Sequence, residues 1–235
     1  MSKFIWFSGR GPALTQRQLE RRATLPAPAA PDDRPLLQQR FVVLDLETTG
    51  LNLRRDQVLS IGAVVIENGA IDFAQQFERT LHRPNHQASA STLIHGIAPS
   101  EVARGDDPAE ALLDFMEFVA DSPLLAFHAE FDRRMLAAAL KQSLGYRLQH
   151  PFFDVAEIAP LVCPQTQVRH GSLDEWTSTF GLQVQQRHHA SADALVTAEL
   201  SLLLFSKARR HGIDTLQELE RQLSSQRRRQ QALSL

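Results

Sequence analysis

The run FVVLDLETTG over residues 41–50 constrains the fold of this chain more than any other segment. Its apolar residues are strand formers, and Asp45 and Glu47 stand two positions apart, so both side chains leave the same face of an extended chain. Two such carboxylates repel each other and resist desolvation unless a cation lies between them. Hard cations such as Mg²⁺ and Mn²⁺ prefer carboxylate oxygens. The segment therefore indicates a buried strand that ends at a metal site, or a strand that runs out into a solvated acidic turn.

The composition is that of an ordinary globular chain, and it narrows the classes of function. With 235 residues, 43% of them hydrophobic, the chain can form one sizeable domain with or without extensions. Its formal net charge of -2 gives no overall basic surface, so binding of a polyanion must come from local patches or from metal. The only cysteine, Cys163, excludes an internal disulfide and a cysteine-rich zinc site. A reducing compartment fits, so we expect a cytoplasmic protein that does not span a membrane.

Prolines and charges divide the chain into three parts. Residues 1–40 combine an arginine-bearing stretch with Pro26, Pro28, Pro31 and Pro35, which oppose regular structure, so we interpret them as an N-terminal extension or linker. Residues 41–211 should form the folded domain. Residues 212–235 are predicted to be a polar, helix-prone tail with a basic run at 227–229.

The folded domain is predicted to be an α/β domain with a mixed sheet. Strands are expected at about 41–46, 57–67 and 71–79, and Asn68-Gly69 is a strong signal for a tight hairpin between the last two. These three strands should be antiparallel. Helical periodicity then alternates with a short apolar strand, which is typical of a mixed sheet flanked by helices. Helices are predicted at about 108–119, 130–143, 154–162, 171–180 and 190–210, and the short strand at 124–127.

Two further acidic residues stand on the apolar faces of predicted helices. Asp132 is in register with Met135 and Leu136, and Asp193 is in register with Val196. A favourable interaction with the helix macrodipole explains an acid in a first turn, but it does not explain this alignment with the apolar stripe.

Together the four acids predict a shared cluster at one end of the sheet. Carboxylates about 4 Å apart repel by about 4 kcal/mol per pair at an effective dielectric of 20, so Asp45, Glu47, Asp132 and Asp193 need counter-cations. Two divalent ions would neutralise them and would suit in-line phosphoryl displacement. His188, in the loop before the last helix, then has the role of general base, although a solvated loop histidine is the alternative.

The motifs DLETTG, HAEFD and HHASADA, in this order over residues 41–211, resemble those of the DEDD-type 3′-to-5′ exonucleases of the histidine subclass. That family includes the proofreading epsilon subunit of bacterial replicative polymerase. The resemblance implies a ribonuclease-H-like fold and two magnesium or manganese ions. It also implies a base at His188, with His189 at a variable position, and the following metal ligands: Asp45, Glu47, Asp132 and Asp193.

The same resemblance extends to residues that would contact the substrate. Thr48 follows the first pair of acids, and the segment TLIHGI, with Thr92 and His95, resembles the family's loop beside the terminal nucleotide. His128 departs from the pattern, because many members have asparagine there.

Several functional hypotheses follow from the sequence. The first is a two-metal exonuclease that removes nucleotides from 3′ ends of DNA in replication or repair, either as a polymerase partner or alone, and a close variant acts on RNA ends. The second is a binding module of the same fold in a replication complex. The C-terminal QQALSL, with Gln230, Leu233 and Leu235, resembles peptides that dock on bacterial sliding clamps, whereas a frayed, solvated tail is the alternative.

Overall fold

The structure, a computed structural model, describes residues 13–84, 86–166, 168, 171–184 and 187–233. Its centre is a five-stranded mixed sheet with the spatial order β3-β2-β1-β4-β5. β1 is antiparallel to β2 and parallel to β4, so it is the central strand. The strands are β1 (Phe41–Thr48), β2 (Val58–Glu67), β3 (Ala70–Thr80), β4 (Leu124–Ala126) and β5 (Phe152–Asp154).

The hairpin between β2 and β3 forms where the sequence predicts it. Asn68 and Gly69 have φ angles of 51° and 72°, the left-handed conformation that a two-residue hairpin turn requires. The two strands are antiparallel, and so are β1 and β2. The prediction of an α/β domain with a mixed sheet is therefore confirmed.

Helices cover both faces of this sheet. α7 begins with a capping box in which Ser172 and Glu175 exchange hydrogen bonds, and it ends before Gly181, which is in the left-handed conformation. The helix predicted at about 171–180 therefore forms. β5 and the two short helices α2 and α3 were not predicted. The helices are α1 (Gln16–Ala23), α2 (Thr92–His95), α3 (Pro99–Val102), α4 (Pro108–Val119), α5 (Ala129–Leu144), α6 (Val155–Val162), α7 (Leu173–Phe180), α8 (Ala190–Arg210) and α9 (Leu216–Leu233).

The alternation of side chains along β1 determines the face of the sheet on which its acidic residues lie. Val42 and Leu44 belong to the core shared with α4 and α5, whereas Phe41 and Val43 belong to the core shared with α6, α8 and α9. Side chains alternate along a strand, so Asp45 and the next odd-numbered residues leave the sheet on the α8 side. This arrangement places the acids of β1 under the start of α8.

Both ends of the described chain pack against this domain. Arg21 of α1 forms ion pairs with three acidic residues of α4, and Leu36 is buried in the α8-side core. The C-terminal α9 buries Leu219 and Leu223 in the same core. Within the described residues, helix length and hydropathy leave no segment suited to cross a bilayer.

Candidate active site

The acids of β1 meet an acid of α8 at the C-terminal end of the central strand. One carboxylate oxygen each from Asp45, Glu47 and Asp193 lie within 4.8 Å of one another. Asp193 lies in the first turn of α8 and is 5% exposed. The structure thus brings three of the four predicted ligands into one cluster.

The close approach of α8 depends on a glycine in β2. Gly62 is the antiparallel partner of Asp45. A Cβ at Gly62 would lie 2.1 Å from the backbone of Ala190 and Ser191 at the start of α8. Because β2 has no side chain at this position, the α8 backbone lies directly on the sheet and holds Asp193 beside Asp45.

The fourth acid, Asp132, approaches from α5 on the other side of β1. It is 4% exposed, and its carboxylate lies near the backbone of Leu46. Its oxygens do not lie within the three-carboxylate cluster, although Asp132 is close enough to raise the pKa of Asp45. Asp132 is therefore a neighbour of the cluster at the same end of the sheet.

A left-handed turn orients the start of α5. His128 has a φ of 60°, which is uncommon for a residue other than glycine or asparagine. Its backbone N–H donates to Asp154 Oδ1 at 3.0 Å, and the same oxygen accepts from the N–H of Ala156 at 2.9 Å. Asp154 thus joins the ends of β4 and β5 to the helix that contains Asp132.

Burial and mutual repulsion change the ionisation of these acids. Burial, followed by the charge of Asp132, raises the pKa of Asp45 well above its usual range. Burial, followed by the charge of Asp193, raises the pKa of Glu47 to about 7. Burial raises the pKa of Asp132 to about 8. Buried and half-buried carboxylates that repel one another in this way form a donor set that fits a hard divalent cation.

Two consecutive residues before α8 contact Asp193. The guanidinium of Arg187 forms an ion pair with Asp193 Oδ1 and a second ion pair with Asp174 of α7. The backbone N–H of His188 donates to Asp193 Oδ2 at 3.0 Å. Both oxygens of this carboxylate are therefore engaged by its own loop.

The two adjacent histidines differ in their surroundings. His188 has a φ of 59° and an exposed side chain that lines the cavity beside Glu47. His189 is half-buried, with Nδ1 3.0 Å from Ser191 Oγ and Nε2 3.4 Å from Glu78 Oε1. Both histidines line the cavity, and the ring nitrogens of His189 already have these two partners.

The cavity beside Glu47 has a volume of about 230 Å³. The described residues that line it include His95, which the sequence predicts as a substrate contact, but not Thr48, Thr92 or His128. Thr48 Oγ1 donates to the carbonyl of Gly50 at 2.9 Å, and Thr92 Oγ1 accepts from the N–H of Ser89 at 3.1 Å. These threonines shape the surrounding loops.

The predicted clamp-binding residues cannot be located in this way. Leu235 lies outside the described residues, and so do the side chains of Gln230 and Leu233, although the backbone of α9 extends to residue 233.

Three residues of the site were not predicted. An isolated glycine inside an apolar strand signals a close backbone approach, and Gly62 has that pattern. An acid at the end of a strand and before a helix is a capping signal, and Asp154 has that pattern. No local pattern distinguishes Arg187 from the other arginines of the chain.

The sequence is similar to those of several known proteins. The PolC-type DNA polymerase III of Thermotoga maritima is 34% identical over 191 residues, which are 81% of this chain and 14% of that protein. The PolC-type enzyme of Bacillus subtilis is 29% identical over 188 residues, which are 79% of this chain and 13% of that protein. This chain therefore spans a small part of the length of these relatives.

Solved structures show the same fold. Zinc-bound E. coli exonuclease I in complex with single-stranded DNA has a TM-score of 0.63 and 18% identity, over 74% of this chain and 42% of that one. Exonuclease X in complex with 5′-overhanging duplex DNA has a TM-score of 0.57 and 20% identity, over 73% of this chain and 93% of that one. A family model described as Exonuclease matches residues 42–201. The chain thus belongs to the exonuclease family, as a DEDD-type 3′-to-5′ exonuclease domain with a ribonuclease-H-like fold.

Proposed function

We propose that this chain hydrolyses the phosphodiester bond at the 3′ end of DNA, with two divalent metal ions and His188 as general base. The observation that carries the proposal is the cluster of Asp45, Glu47 and Asp193 within 4.8 Å, with Asp132 beside it. A protein that only binds a partner gains nothing from clustered carboxylates that repel one another. The names of the similar proteins, which include complexes with DNA and replicative polymerases, support DNA as the substrate.

The carboxylates would hold the metal ions. Asp45, Glu47 and Asp193 have oxygens close enough together to share one ion, and Asp132 adds the ligand that a second ion needs. Bound divalent ions supply stabilisation of the negative charge that develops on the phosphoryl oxygens and lower the pKa of water.

His188 has the position and freedom of a general base. Its backbone is fixed by the hydrogen bond from its N–H to Asp193, while its ring is exposed at the cavity. The ring accepts a proton from the attacking water as the oxygen of that water bonds to phosphorus. The bond from phosphorus to the 3′ oxygen of the preceding nucleotide breaks, and this oxygen takes a proton from solvent water to become a hydroxyl.

The tautomer of His95 gives the cavity a hydrogen-bond donor. Its Nδ1 accepts from the N–H of Ile97 at 3.0 Å, and burial lowers the pKa of the ring, so the neutral ring has its proton on Nε2. Among the described residues no acceptor is bonded to this Nε2, which is buried in the cavity lining. The exposed Leu93 and Ile94 beside it offer apolar contact for a base. The loop thus fits one nucleotide at the strand terminus.

A nuclease assay separates this proposal from its alternatives. We expect a single-stranded DNA oligonucleotide labelled at its 5′ end to give a descending ladder of products with Mg²⁺ or Mn²⁺, and no products with EDTA. A matched RNA oligonucleotide decides the sugar preference. Binding of either oligonucleotide without hydrolysis under any divalent cation would identify a binding module and overturn the proposal.

Substitution of the acids tests the metal site. Asp45→Asn, Glu47→Gln, Asp132→Asn and Asp193→Asn should each lower turnover by about 10²–10³-fold or more, because each removes a ligand of the cations that would stabilise the negative charge of the transition state. Asp72→Asn, which removes an acid of β3 outside the cluster, is the control and should retain turnover. A wild-type rate in any one of the four variants at saturating Mg²⁺ would exclude that residue from the metal site.

The two histidines provide a matched pair. We expect His188→Ala to lower turnover by about 10²–10⁴-fold with little change in metal affinity. His189→Ala should have a mild effect, because His189 is held by Ser191 and Glu78. A larger loss in His189→Ala would assign the base to His189.

Polymerase and clamp partners are part of the same proposal. Gln230, Leu233 and Leu235 would anchor the chain to a bacterial sliding clamp through an apolar pocket. Deletion of residues 230–235 should abolish clamp binding and leave hydrolysis of short oligonucleotides unchanged. Binding must be measured without DNA at raised salt, since the basic run at 227–229 also attracts DNA. Equal clamp affinity with and without these residues, or none in either case, would remove the clamp from the proposal.

A further inference from the structure

The loop between β1 and β2, residues 49–57, is closed by its own hydrogen bonds next to the acids of β1. Thr49 Oγ1 donates to Asp56 Oδ1 at 3.0 Å, and the N–H of Asn52 donates to Asp56 Oδ2 at 2.7 Å. The N–H groups of Arg55 and Asp56 both donate to the carbonyl of Asn52. The loop is therefore a fixed structure that presents selected side chains to solvent.

These bonds leave two arginines of the loop without an acidic partner. Both oxygens of Asp56 accept hydrogen bonds from other residues of the loop, and this carboxylate forms no ion pair with Arg54 or Arg55. Arg54 and Arg55 are exposed, and no described acidic side chain forms an ion pair with either. By contrast, Arg187 at the other side of the site is engaged by two acids.

Apolar side chains are exposed in the same region. Leu51 of the loop is 82% exposed, and Leu93 of α2 is 90% exposed. Ser91 Oγ donates to the carbonyl of Thr49 at 3.0 Å, which ties the residues before α2 to the loop. Exposed apolar groups beside guanidinium groups match a nucleic-acid strand, which alternates base faces with phosphates.

The positive charges of Arg54 and Arg55 can attract a polyanionic substrate. The chain has a formal net charge of -2 and so gives no overall attraction to a polyanion, which means that local cations near the site must supply that attraction. Arginine suits this position, because its guanidinium binds phosphate oxygens in a bidentate geometry.

We propose that Arg54 and Arg55 form a phosphate-binding subsite for the strand upstream of the scissile bond. The ligand class is the phosphodiester backbone of a single-stranded polynucleotide. The subsite rests on the proposed function, since it binds the same strand whose 3′ end is hydrolysed.

The test compares two substrates in the full-length chain. One substrate is a 5′-fluorescent single-stranded DNA oligonucleotide, and the other is the p-nitrophenyl ester of thymidine 5′-monophosphate, which has a scissile phosphodiester but no upstream phosphate. In the double variant Arg54→Ala/Arg55→Ala, the ratio of kcat/KM for the oligonucleotide to kcat/KM for the ester should fall at least about tenfold, mainly through KM. The slope of log kcat/KM for the oligonucleotide against log salt concentration should flatten by about 1.4, which is about 0.7 per lost phosphate contact.

Two further variants serve as controls. Arg209→Ala/Arg210→Ala removes two positive charges at the opposite end of α8, and it should leave the ratio and the salt slope at their wild-type values. Arg54→Lys/Arg55→Lys retains the charges and should restore most of the salt slope with part of the affinity.

Other outcomes would overturn the subsite. An unchanged ratio and slope in the alanine variant would show that these arginines bind no phosphate, and equal losses on both substrates would show that they act on the reaction centre or the fold. A wild-type chain that hydrolyses neither substrate would contradict the proposed function instead. In that case, anisotropy of the labelled oligonucleotide with Ca²⁺ still decides the subsite, because equal affinity in the wild type and the alanine variant would exclude it.

Discussion

At the scale of single residues, folding makes the charged forms of the site's carboxyl groups less stable when no metal is bound. Asp45, Glu47 and Asp132 all have pKa values above their usual ranges, because burial and neighbouring carboxylates disfavour the charged forms. A carboxyl whose pKa is raised by folding binds more protons in the folded state than in the unfolded state. The metal-free fold therefore loses stability as the pH rises from about 4, where the unfolded acids ionise, to the folded pKa values of about 7 and about 8.

This linkage predicts a stabilising substitution in the site. With EDTA present, we expect the Tm of the wild-type chain to fall between pH 5 and pH 8, and Asp132→Asn to raise the Tm at pH 8 by roughly 3 °C or more, the equivalent of about 1 kcal/mol. Thermal unfolding at both pH values measures the effect. Asp72→Asn is the control, and it should not raise the Tm at pH 8. Hydrogen bonds from Gln75 and Ala74 lower the pKa of Asp72, so the charged form of this acid is stabilised in the fold. A Tm of Asp132→Asn equal to or below that of the wild type at pH 8 would contradict the burial of this charge.

Arg187 is predicted to compete with metal for Asp193. Its guanidinium is bonded to one oxygen of that carboxylate, so a divalent cation must replace an existing ion pair. Arg187→Gln should tighten Mn²⁺ binding by about tenfold, which corresponds to about 1.4 kcal/mol, as measured by calorimetry in the absence of substrate. Arg133→Gln removes an arginine that is paired with Glu130 instead, and its Mn²⁺ affinity should equal that of the wild type. Weaker Mn²⁺ binding by Arg187→Gln would mean that Arg187 positions Asp193 for the metal.

The acids of the site could be predicted from sequence because each lies in a short motif. In each motif the period of the strand or helix places the acid on the face that packs against the rest of the domain. Arg187 could not be predicted, since its ion pairs join α7 to α8 across a loop and depend on tertiary packing. Asp154 acts through hydrogen bonds to the backbone of residues 128 and 156, and only its capping role has a local signal.

At the scale of elements, the site depends on how closely α8 lies on the sheet. Gly62 of β2 permits this contact, because the backbone of Ala190 and Ser191 occupies the space that a Cβ at residue 62 would need. The first turn of α8 contains Asp193, and the preceding loop contains His188. Any displacement of the helix start therefore separates the acids of α8 from those of β1.

Gly62→Ala should accordingly damage both stability and activity. The added Cβ would meet backbone atoms, which cannot rotate away, so we expect a loss of about 1–3 kcal/mol in the free energy of unfolding. Turnover should fall about 10²-fold, because a shift of about 1 Å in the reacting groups has that effect. Urea titration and the nuclease assay measure the two effects.

Gly212→Ala is a suitable control for this substitution. Gly212 has a φ of 72° but no atom within 4 Å of an added Cβ, so alanine there strains the backbone without moving the site. It should lower stability while the turnover of the folded fraction stays at the wild-type value. Comparable turnover losses in the two variants would show that general destabilisation, and not the position of α8, is responsible.

The longer elements were predictable because their apolar periodicity extends over several turns or strand residues. β4 has only three residues but could be predicted from its uninterrupted apolar run, LLA. β5 has three residues and ends in an acid, and α2 and α3 have four each, which is too short for a periodic pattern to be distinguished from a loop. Their positions follow from tertiary contacts: β5 pairs with β4, and α2 is joined to the β1–β2 loop through Ser91.

At the scale of the whole molecule, the two terminal segments meet each other on the domain. The N–H of Leu36 donates to the carbonyl of Asp214 at 2.6 Å, and Pro35 forms a bridge with Thr215. The N–H of Gln217 donates to the carbonyl of Asp32. Proline content predicted a linker at the N-terminal end, and polarity predicted a tail at the C-terminal end. Such patterns indicate local conformation, and they do not show that a few apolar residues pack each segment against the domain.

The predicted division at residues 41 and 211 can therefore be tested by truncation. The fragment 41–211 lacks four buried leucines, Leu36, Leu216, Leu219 and Leu223. Full burial of such a side chain contributes about 1.5–3 kcal/mol, so their joint loss amounts to about 6–12 kcal/mol, which is as large as the whole stability of a typical domain. We expect this fragment to be unfolded or to lack a cooperative transition in urea, and the fragment 13–233 to unfold like the full chain.

Single substitutions in the full-length chain test whether the buried leucines of the terminal segments stabilise the domain. Leu36→Ala and Leu219→Ala should each lower the free energy of unfolding by about 2–5 kcal/mol, because both side chains are fully buried in the core on the α8 side of the sheet. Leu19→Ala on α1, where the side chain is 37% exposed, should have a much smaller effect. If the fragment 41–211 unfolds cooperatively at the urea concentration of the full chain, the terminal segments are accessory and the predicted boundaries are those of an independent domain. If it does not, the catalytic cluster depends on a core that both chain ends complete, since α8 contributes Asp193 to the site and shares its core with Leu36 and with α9.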